Sequence, residues 1–403
     1  MVRRNSRIGR YVETAHAGEI VRAYVPPPLP PNPPLILDGL LSRLSAADQA
    51  IGRLDGITVL LPNKELFLYM YVRKEAVLSS QIEGTQSTLS DLLRFETEAA
   101  KGKPVDDIRE VSNYVDAMMY GLERLAELPL SLRLIREMHQ RLLQSGRGQT
   151  KKPGEFRRSQ NWIGGTRPGN ALFVPPPPNE MMLALGDFEK FIHLDAPALP
   201  PLIKAGLMHV QFETIHPFLD GNGRLGRLLI ALYLCSQEVL QQPLLYLSLY
   251  LKTRRSDYYR LLQEVRETGA WEAWLEFFLD GVAQTANQAF DAATRINALI
   301  RGDRELISSK AKRPSSALRV QELMQTLPFI SAPKAVERTK LTTPTVGSAL
   351  DQLQKLGIIK EITNKRRGRI YAYSAYLDIL NEGGQPLDQA DTQLVAHVSR
   401  RRQ

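Results

Sequence analysis

The sequence predicts a mainly α-helical protein, with a β-hairpin flap set into a helical core and a winged helix at the C-terminal end. Three observations carry this. Apolar residues recur at helical spacing from about 36 to 145 and again from 179 to about 300. Between these stretches, KPGEFRRSQNWIGGTRPGNALFVPPPP (152–178) turns to Gly, Trp and a β-leaning ALFV stopped by four prolines. Past residue 315 two helical patterns precede a Thr-capped helix ending at Gly357, then two short β-runs, IIKEI and RIYAY, joined by a basic turn. Three helices and a hairpin are the layout of a winged helix.

In chain order, residues 1 to about 35 read as irregular, with PPPLPPNPP an extended strap over the folded body rather than an SH3-type ligand. Residues 1–115 are expected to hold this segment and a helical region, 116–285 a catalytic core, and 286–314 a helix end and linker. GDRELISSKAKRPSS (302–316) reads as a polar loop that leaves the parts on either side independent. The winged helix takes 315–376, and 377–403 is a polar tail.

The charge of +9 permits anionic partners without requiring them. The single cysteine, Cys235, rules out an internal disulfide, and its apolar helical surroundings (LLIALYLCS) suit a structural thiol rather than a nucleophile. MVRRNSRIGRYVET lacks the apolar region of a cleavable signal, and no apolar run approaches the roughly 20 residues of a membrane span. The expectation is a reduced, cytoplasmic, soluble protein.

Chemistry concentrates in HPFLDGNGRLGR (216–227). Gly221, Gly223 and Gly226 spell G-x-G-x-x-G, the dinucleotide fingerprint. That reading needs a buried strand before the glycines, whereas PPLIKAGLMHVQFETIHPF has helical spacing and no parallel-strand series exists in the chain. A Walker loop fails for want of G-x-x-x-x-G-K-S/T. What remains is a helix, a glycine-rich turn and a second helix starting near Gly223. Unsatisfied N–H groups at a helix start attract anions, and Gly221 and Gly223 let a phosphate approach closely. Arg224 and Arg227 offer guanidinium forks, Asp220 is a hard oxygen ligand for Mg²⁺, and His216 is placed to take a proton from a hydroxyl. Together these describe phosphoryl or nucleotidyl transfer.

HPFLDGNGRLGR resembles the Fic motif, H-x-F-x-D/E-G-N-G-R-x-x-R, at every specified position. NWIGG…ALFVPPPP resembles the family's flap and YYRLL…GAWEAWLEFFL its late helices, so the resemblance covers roughly residues 35–285. It implies a Fic-type helical core and a protein adenylyltransferase, autoinhibited in cis. His216 would deprotonate a Ser, Thr or Tyr hydroxyl of a target protein, which attacks the α-phosphate of ATP. Asp220 would hold Mg²⁺, and Gly221, Asn222 and Gly223 would cradle the phosphates, with Asn222 also able to contact the α-phosphate. Arg224 and Arg227 would meet the β- and γ-phosphates, while Gln211 and Thr253 face the nucleotide. The family's kinases carry lysine at the position of Gly223, so glycine here favours AMP transfer.

SSQIEG (79–84) places Ser79 and Glu83 four residues apart, on one helix face. It resembles the family's inhibitory motif, S/T-x-x-x-E-G/N, which implies that Glu83 pairs with Arg227 and displaces the γ-phosphate, with Ser79 bonding near the same loop. Other readings stand beside this one: an AMP-removing enzyme in which Glu83 positions water, and a DNA-binding regulator whose core senses nucleotide. The flap edge at 158–175 suits either an extended substrate segment or a structural cover. Lys365, Arg366, Arg367 and Arg369 suit DNA phosphates, although TTPTVGSALDQLQKL carries one Lys and no Arg. Expected partners are therefore ATP, a protein substrate (this chain included), DNA or protein at the winged helix, and a second copy of the chain.

Overall fold

A computed structural model describes residues 7–16, 18–60, 64–98, 106–195, 198–364 and 366–386. Lys365 and the tail from 387 onward lie outside the described residues.

The N-terminal segment departs from expectation. β1 (Arg10–His16) and β2 (Glu19–Val25) form an antiparallel hairpin, with Tyr11 opposite Tyr24 and Thr14 opposite Val21. RYVETAH and EIVRAYV carry the β-branched and aromatic residues that favour strands, and Gly18 turns between them at φ +83°. Val21 and Ala23 are buried together with Val174 of the flap, and the Tyr24 N–H donates to Val174 O at 2.9 Å.

Helices α1 (Leu41–Leu60), α2 (Lys64–Ile82), α3 (Leu89–Glu98), α4 (Asp106–Leu125) and α5 (Leu132–Leu142) follow. In α4, Val111, Tyr114, Val115 and Met118 form one buried stripe, and Asp106, Asp107 and Arg124 complement the helix dipole. A boundary at 115 would cut this helix. Ser131 caps α5, its hydroxyl accepting from Leu134 N–H.

The flap is not a regular hairpin. One bridge, Ile163 with Phe173, closes it, and Pro168–Asn170 form a single 3-10 turn. Gly164 and Gly165, both at positive φ, interrupt the alternation that a strand ladder needs.

α6 (Pro178–Ile192) and α7 (Pro201–Ile215) both begin with proline at the first turn, where its missing N–H costs nothing. α7 is buried all round, from Leu202 to Ile215, and packs against α8 (Asn222–Ser236), which is buried almost as fully. These two helices are the centre of the core, and the glycine-rich loop joins them. α9 (Ser248–Thr253) and α10 (Arg255–Thr268) follow, and Gly269 at φ +70° ends α10.

α11 (Trp271–Lys310) runs 40 residues, about 60 Å at helical rise. The expected linker from 302 is therefore helical through Lys310, leaving 311–313 as the connection. Ile300 and Ile307, seven residues apart, are buried on one face while polar residues take the other; that spacing outweighs a polar composition.

The C-terminal unit comprises α12 (Pro314–Thr326), β3 (Phe329–Ser331), α13 (Ala332–Thr339), α14 (Thr343–Lys355), β4 (Lys360–Glu361) and β5 (Ile370–Ala372), in an antiparallel sheet of order β3-β5-β4. α15 (Ser374–Asn381) then returns to the core and packs on α2, α3 and α11 with Tyr376, Leu377 and Leu380 buried. The unit shares one hydrophobic core with the rest of the chain, which argues against the expected independence. A chain ending at Lys310 is expected to melt at least about 5 °C below the full chain. Removing Tyr376, Leu377 and Leu380 uncovers the apolar surface of α2, α3 and α11 beneath them. That costs several kcal/mol, and each kcal/mol moves Tm by about 2–4 °C in a protein of this size. Equal melting in a thermal scan would show that this packing contributes nothing.

Candidate active site

α7 ends at His216, whose backbone lies in the left-handed region (φ +48°, ψ +61°) while its N–H still reaches Phe212 O at 2.9 Å. Pro217 prevents the helix from continuing. The base of the flap fixes this turn. Arg157 is 2% exposed and donates through Nε to His216 O at 3.0 Å, and its backbone N–H reaches Pro217 O at 2.9 Å. Asn161 Nδ2 donates to Phe218 O at 3.0 Å.

Below the loop, the His139 ring stacks on Phe218 at 3.7 Å. His139 Nδ1 accepts from Gly154 N–H at 2.9 Å, so Nε2 carries the proton and donates to Asp220 O at 3.0 Å. Burial pushes its pKa down to about 4, which keeps that neutral tautomer. Asn222 closes the loop on itself: Oδ1 accepts from Phe218 N–H and Nδ2 donates to Phe218 O, both at 2.8 Å. The Asn222 side chain thus holds the turn and shapes the cradle.

Gly221, at φ +77°, caps α8, and the N–H groups of Asn222, Gly223 and Arg224 have no partner within the helix. Asp220 is about a third exposed; its Oδ1 accepts from Gly221 N–H at 2.6 Å, with Arg224 Nη2 at 3.5 Å. The two arginines diverge. Arg224 is 1% exposed and pairs with Glu110 of α4 at 2.5 Å, a different carboxylate from the one beside Arg227. A guanidinium carried into the core needs a buried carboxylate, and Glu110 supplies it.

Arg227 points to α2. Its Nε donates to Ser79 Oγ at 2.8 Å, and its Nη2 to Ser79 O at 3.0 Å and Glu83 Oε1 at 2.8 Å. Burial would raise the Glu83 pKa, but Arg227 outweighs it and holds the carboxyl below its usual value. A Cβ at position 223 would collide with Glu83 Oε1. The carboxylate therefore rests on Gly223, over the helix start where an anion would bind, and a side chain at 223 would push it aside.

The His216 imidazole is partly buried, with about a fifth of its side chain exposed, and this burial, with Arg157 and Arg266 nearby, pushes its pKa down to about 3. The neutral ring is the form a general base requires. Its Nδ1 lies 4.0 Å from Glu213 Oε2 and has no hydrogen-bond partner among the described residues.

Glu213 is one of several site residues that the motif did not single out. It is 6% exposed, its Oε1 is unpartnered among the described residues, and burial raises its pKa to about 7. Because the folded value exceeds the unfolded one, this group's stabilising contribution is fully present below about pH 4.5 and is lost as pH rises through 7. Between pH 5 and 8 the Tm of the parent should accordingly fall more steeply than that of Glu213→Gln; parallel curves would place Glu213 in water. Arg255, near enough to Glu83 to favour its charge, and Arg266, which bonds Thr214 Oγ1 at 3.2 Å, were likewise not singled out. For Glu213, the polar pair Glu213–Thr214 in FETIH, inside a helix that is buried all round, was the available signal.

Two expected nucleotide contacts lie elsewhere. Gln211 sits under the proline strap, its Nε2 donating to Pro27 O at 2.9 Å, in a small cavity with Thr214 and Arg266. Thr253 bonds back to Leu249 O and Tyr250 O at the end of α9 and lines a separate cavity with Lys74 and Glu382. Its position in the chain after the loop did not indicate which face of α9 it occupies. The Cys235 thiol is pushed up to about 12 by burial, which suits a structural role. Among the described residues no helix is long and apolar enough to cross a membrane.

A buried helix pair whose connecting loop joins a histidine, a glycine-built anion cradle and a carboxylate-clamped arginine defines a Fic-type fold. Two models of that family match the chain: the one described as Fic/DOC family N-terminal over residues 41–123, and the one described as Fic/DOC family over 129–234. Among similar proteins, protein adenylyltransferase Fic of Drosophila grimshawi is 33% identical over 208 residues, 51% of this chain and 40% of that protein. The Drosophila virilis counterpart is 32% identical over the same shares. The match thus spans about two fifths of these relatives' length. A Fic family protein from Desulfovibrio desulfuricans G20 shares the fold, with a TM-score of 0.55 at 20% identity, covering 85% of this chain and 97% of that one.

Proposed function

We propose that the protein is an adenylyltransferase that moves AMP from ATP to a Ser, Thr or Tyr hydroxyl of a protein, and that Glu83 restrains it by holding Arg227. The observation that carries this reading is the neutral His216 ring beside a helix start whose anion position is filled by the Glu83 carboxylate. In the reaction the target hydroxyl attacks the α-phosphorus, the bond to the β-phosphate breaks, and pyrophosphate leaves. The hydroxyl proton passes to the imidazole of His216. The free N–H groups of the loop stabilise charge on the phosphate oxygens as it develops. Arg227 binds the γ-phosphate once Glu83 has moved aside.

Asp220 fits a Mg²⁺ ion that arrives with the nucleotide. It is about a third exposed and offers an oxygen to solvent, as suits a metal that takes its other ligands from phosphate and water. When bound, such a metal neutralises phosphate charge; the positioning is done by the loop.

The test is transfer of label from α- and from γ-labelled ATP by Glu83→Gly. Label on protein from the α-position alone supports the proposal, and label from the γ-position, or from neither, overturns it. One observation favours a second reading: Glu83 Oε2 accepts no hydrogen bond among the described residues and the side chain is a third exposed, so it has room to orient water for AMP removal. Release of AMP from modified protein by the parent chain, lost in Glu83→Gly, would select that reading. We read the C-terminal unit as a winged helix that meets DNA or protein. Arg366 and Arg367 are exposed between β4 and β5, and a steep fall in duplex affinity with salt would assign them to DNA.

A further inference from the structure

Away from the loop, a cavity of about 340 Å³ opens between α2, α9, α11 and the turn that follows α15. Lys74, Tyr246 and Tyr250 form its inner wall and are each at most 5% exposed. The Lys74 ammonium has no hydrogen-bond partner among the described residues; it lies 4.4 Å from the centre of the Tyr246 ring. Burial lowers its pKa to about 8, and nearby Glu382 opposes that shift. A buried cation with no anion in contact is costly to keep, and the cost falls when a ligand supplies the anion.

On the opposite wall Arg295 grips Glu382 with both guanidinium nitrogens, at 2.9 and 2.7 Å. Glu382 opens the turn 382–385, which is held from its other side by the inhibitory helix. Gly384 O accepts from Gln81 Nε2 at 3.0 Å. Lys252 Nζ donates to Gly383 O at 3.0 Å, to Gln385 O at 2.5 Å and to Gln81 Oε1 at 2.9 Å. A Cβ at Gly383 would run into Leu249, so the turn is seated tightly. Gln81 is 1% exposed and lies two residues before Glu83. The cavity therefore shares one wall with the clasp on the segment that carries Glu83.

We propose that this cavity binds a small metabolite bearing a carboxylate or phosphate group, held by Lys74 and Arg295, and that its binding frees the turn 382–385 and loosens Gln81 and Glu83. An anion that takes the fork of Arg295 displaces Glu382, whose side chain is already half exposed and moves into water readily. The turn then keeps only its bonds to Gln81 and Lys252. The binding site stands by itself, whereas the effect on Glu83 rests on the autoinhibitory reading above.

Calorimetric titration of the full chain with inorganic phosphate, 2-oxoglutarate and 3-phosphoglycerate, in separate runs, tests the site without requiring any activity. At least one probe is expected to bind saturably, with affinity reduced tenfold or more in Lys74→Met and several-fold in Arg295→Gln, a half-exposed position whose replacement preserves the packing. Failure of all three probes to bind, or equal binding by Lys74→Met, overturns the site and separates it from phosphate captured at the loop. Hydrogen exchange with the bound probe tests the coupling: amides of 79–84 are expected to exchange several-fold faster, and unchanged exchange there overturns it. Faster exchange with no gain in α-label transfer would count against autoinhibition by Glu83 rather than against the cavity.

Discussion

Replacing His216 with alanine is expected to abolish AMP transfer while ATP binding stays close to that of the parent. The imidazole is the group on the loop able to take the hydroxyl proton, and loss of a general base costs about 10² to 10⁴ in rate. The phosphate cradle depends on other parts: Asn222 closing the turn on Phe218, Gly221 capping α8, and Arg157 holding His216 by its carbonyl oxygen rather than by its ring. Alanine does disturb one feature, because position 216 sits at φ +48°, where a plain side chain is strained by about 1–2 kcal/mol. Asparagine tolerates that backbone, so His216→Asn separates the two effects. Both variants should be inactive and only the alanine should lose stability. Near-parental labelling by either would remove His216 from the chemistry.

How far the sequence led differs between the loop and its surroundings. HPFLDGNGRLGR was legible because its features are local: a helix end, glycines that permit an anion near the backbone, and a histidine beside them. The partners of that loop come from distant parts of the chain, and nothing local announces them. Glu110 is one of several acidic residues on α4, yet it decides that Arg224 turns inward. Arg157 looked like one more basic residue in a polar flap, and it is the clamp on the His216 turn. The segment 302–310 misled for a related reason. Its polar residues suit a loop by composition, whereas Ile300 and Ile307 keep the helical stripe that packing rewards. At the N-terminus, strands of seven residues with ordinary alternation were overshadowed by the prolines that follow them.

Glu83→Gly is expected to raise self-modification by one or more powers of ten and to tighten productive ATP binding. The parent chain holds the carboxylate at 2.8 Å from Arg227 Nη2 and against Gly223, so it occupies both the guanidinium and the anion position of the helix start. Two unit charges near 4 Å attract by about 4 kcal/mol at an effective dielectric near 20. Glu83 is a third exposed and the gain is screened accordingly, but even 1.4 kcal/mol is a tenfold change in occupancy. Glycine at 83 leaves Ser79 bonded to Arg227 Nε, so the arginine keeps an anchor and its Nη2 becomes available to a γ-phosphate. Arg227→Ala should be inactive in both backgrounds, because the phosphate contact is lost whether or not Glu83 is present. The double variant therefore labels no better than Arg227→Ala alone, a non-additivity that marks two residues acting through one contact. Melting curves must show each variant folded, since Arg227 is buried and its removal strands Glu83 over the helix start. Labelling by Glu83→Gly equal to that of the parent would mean that the carboxylate on Gly223 holds nothing back.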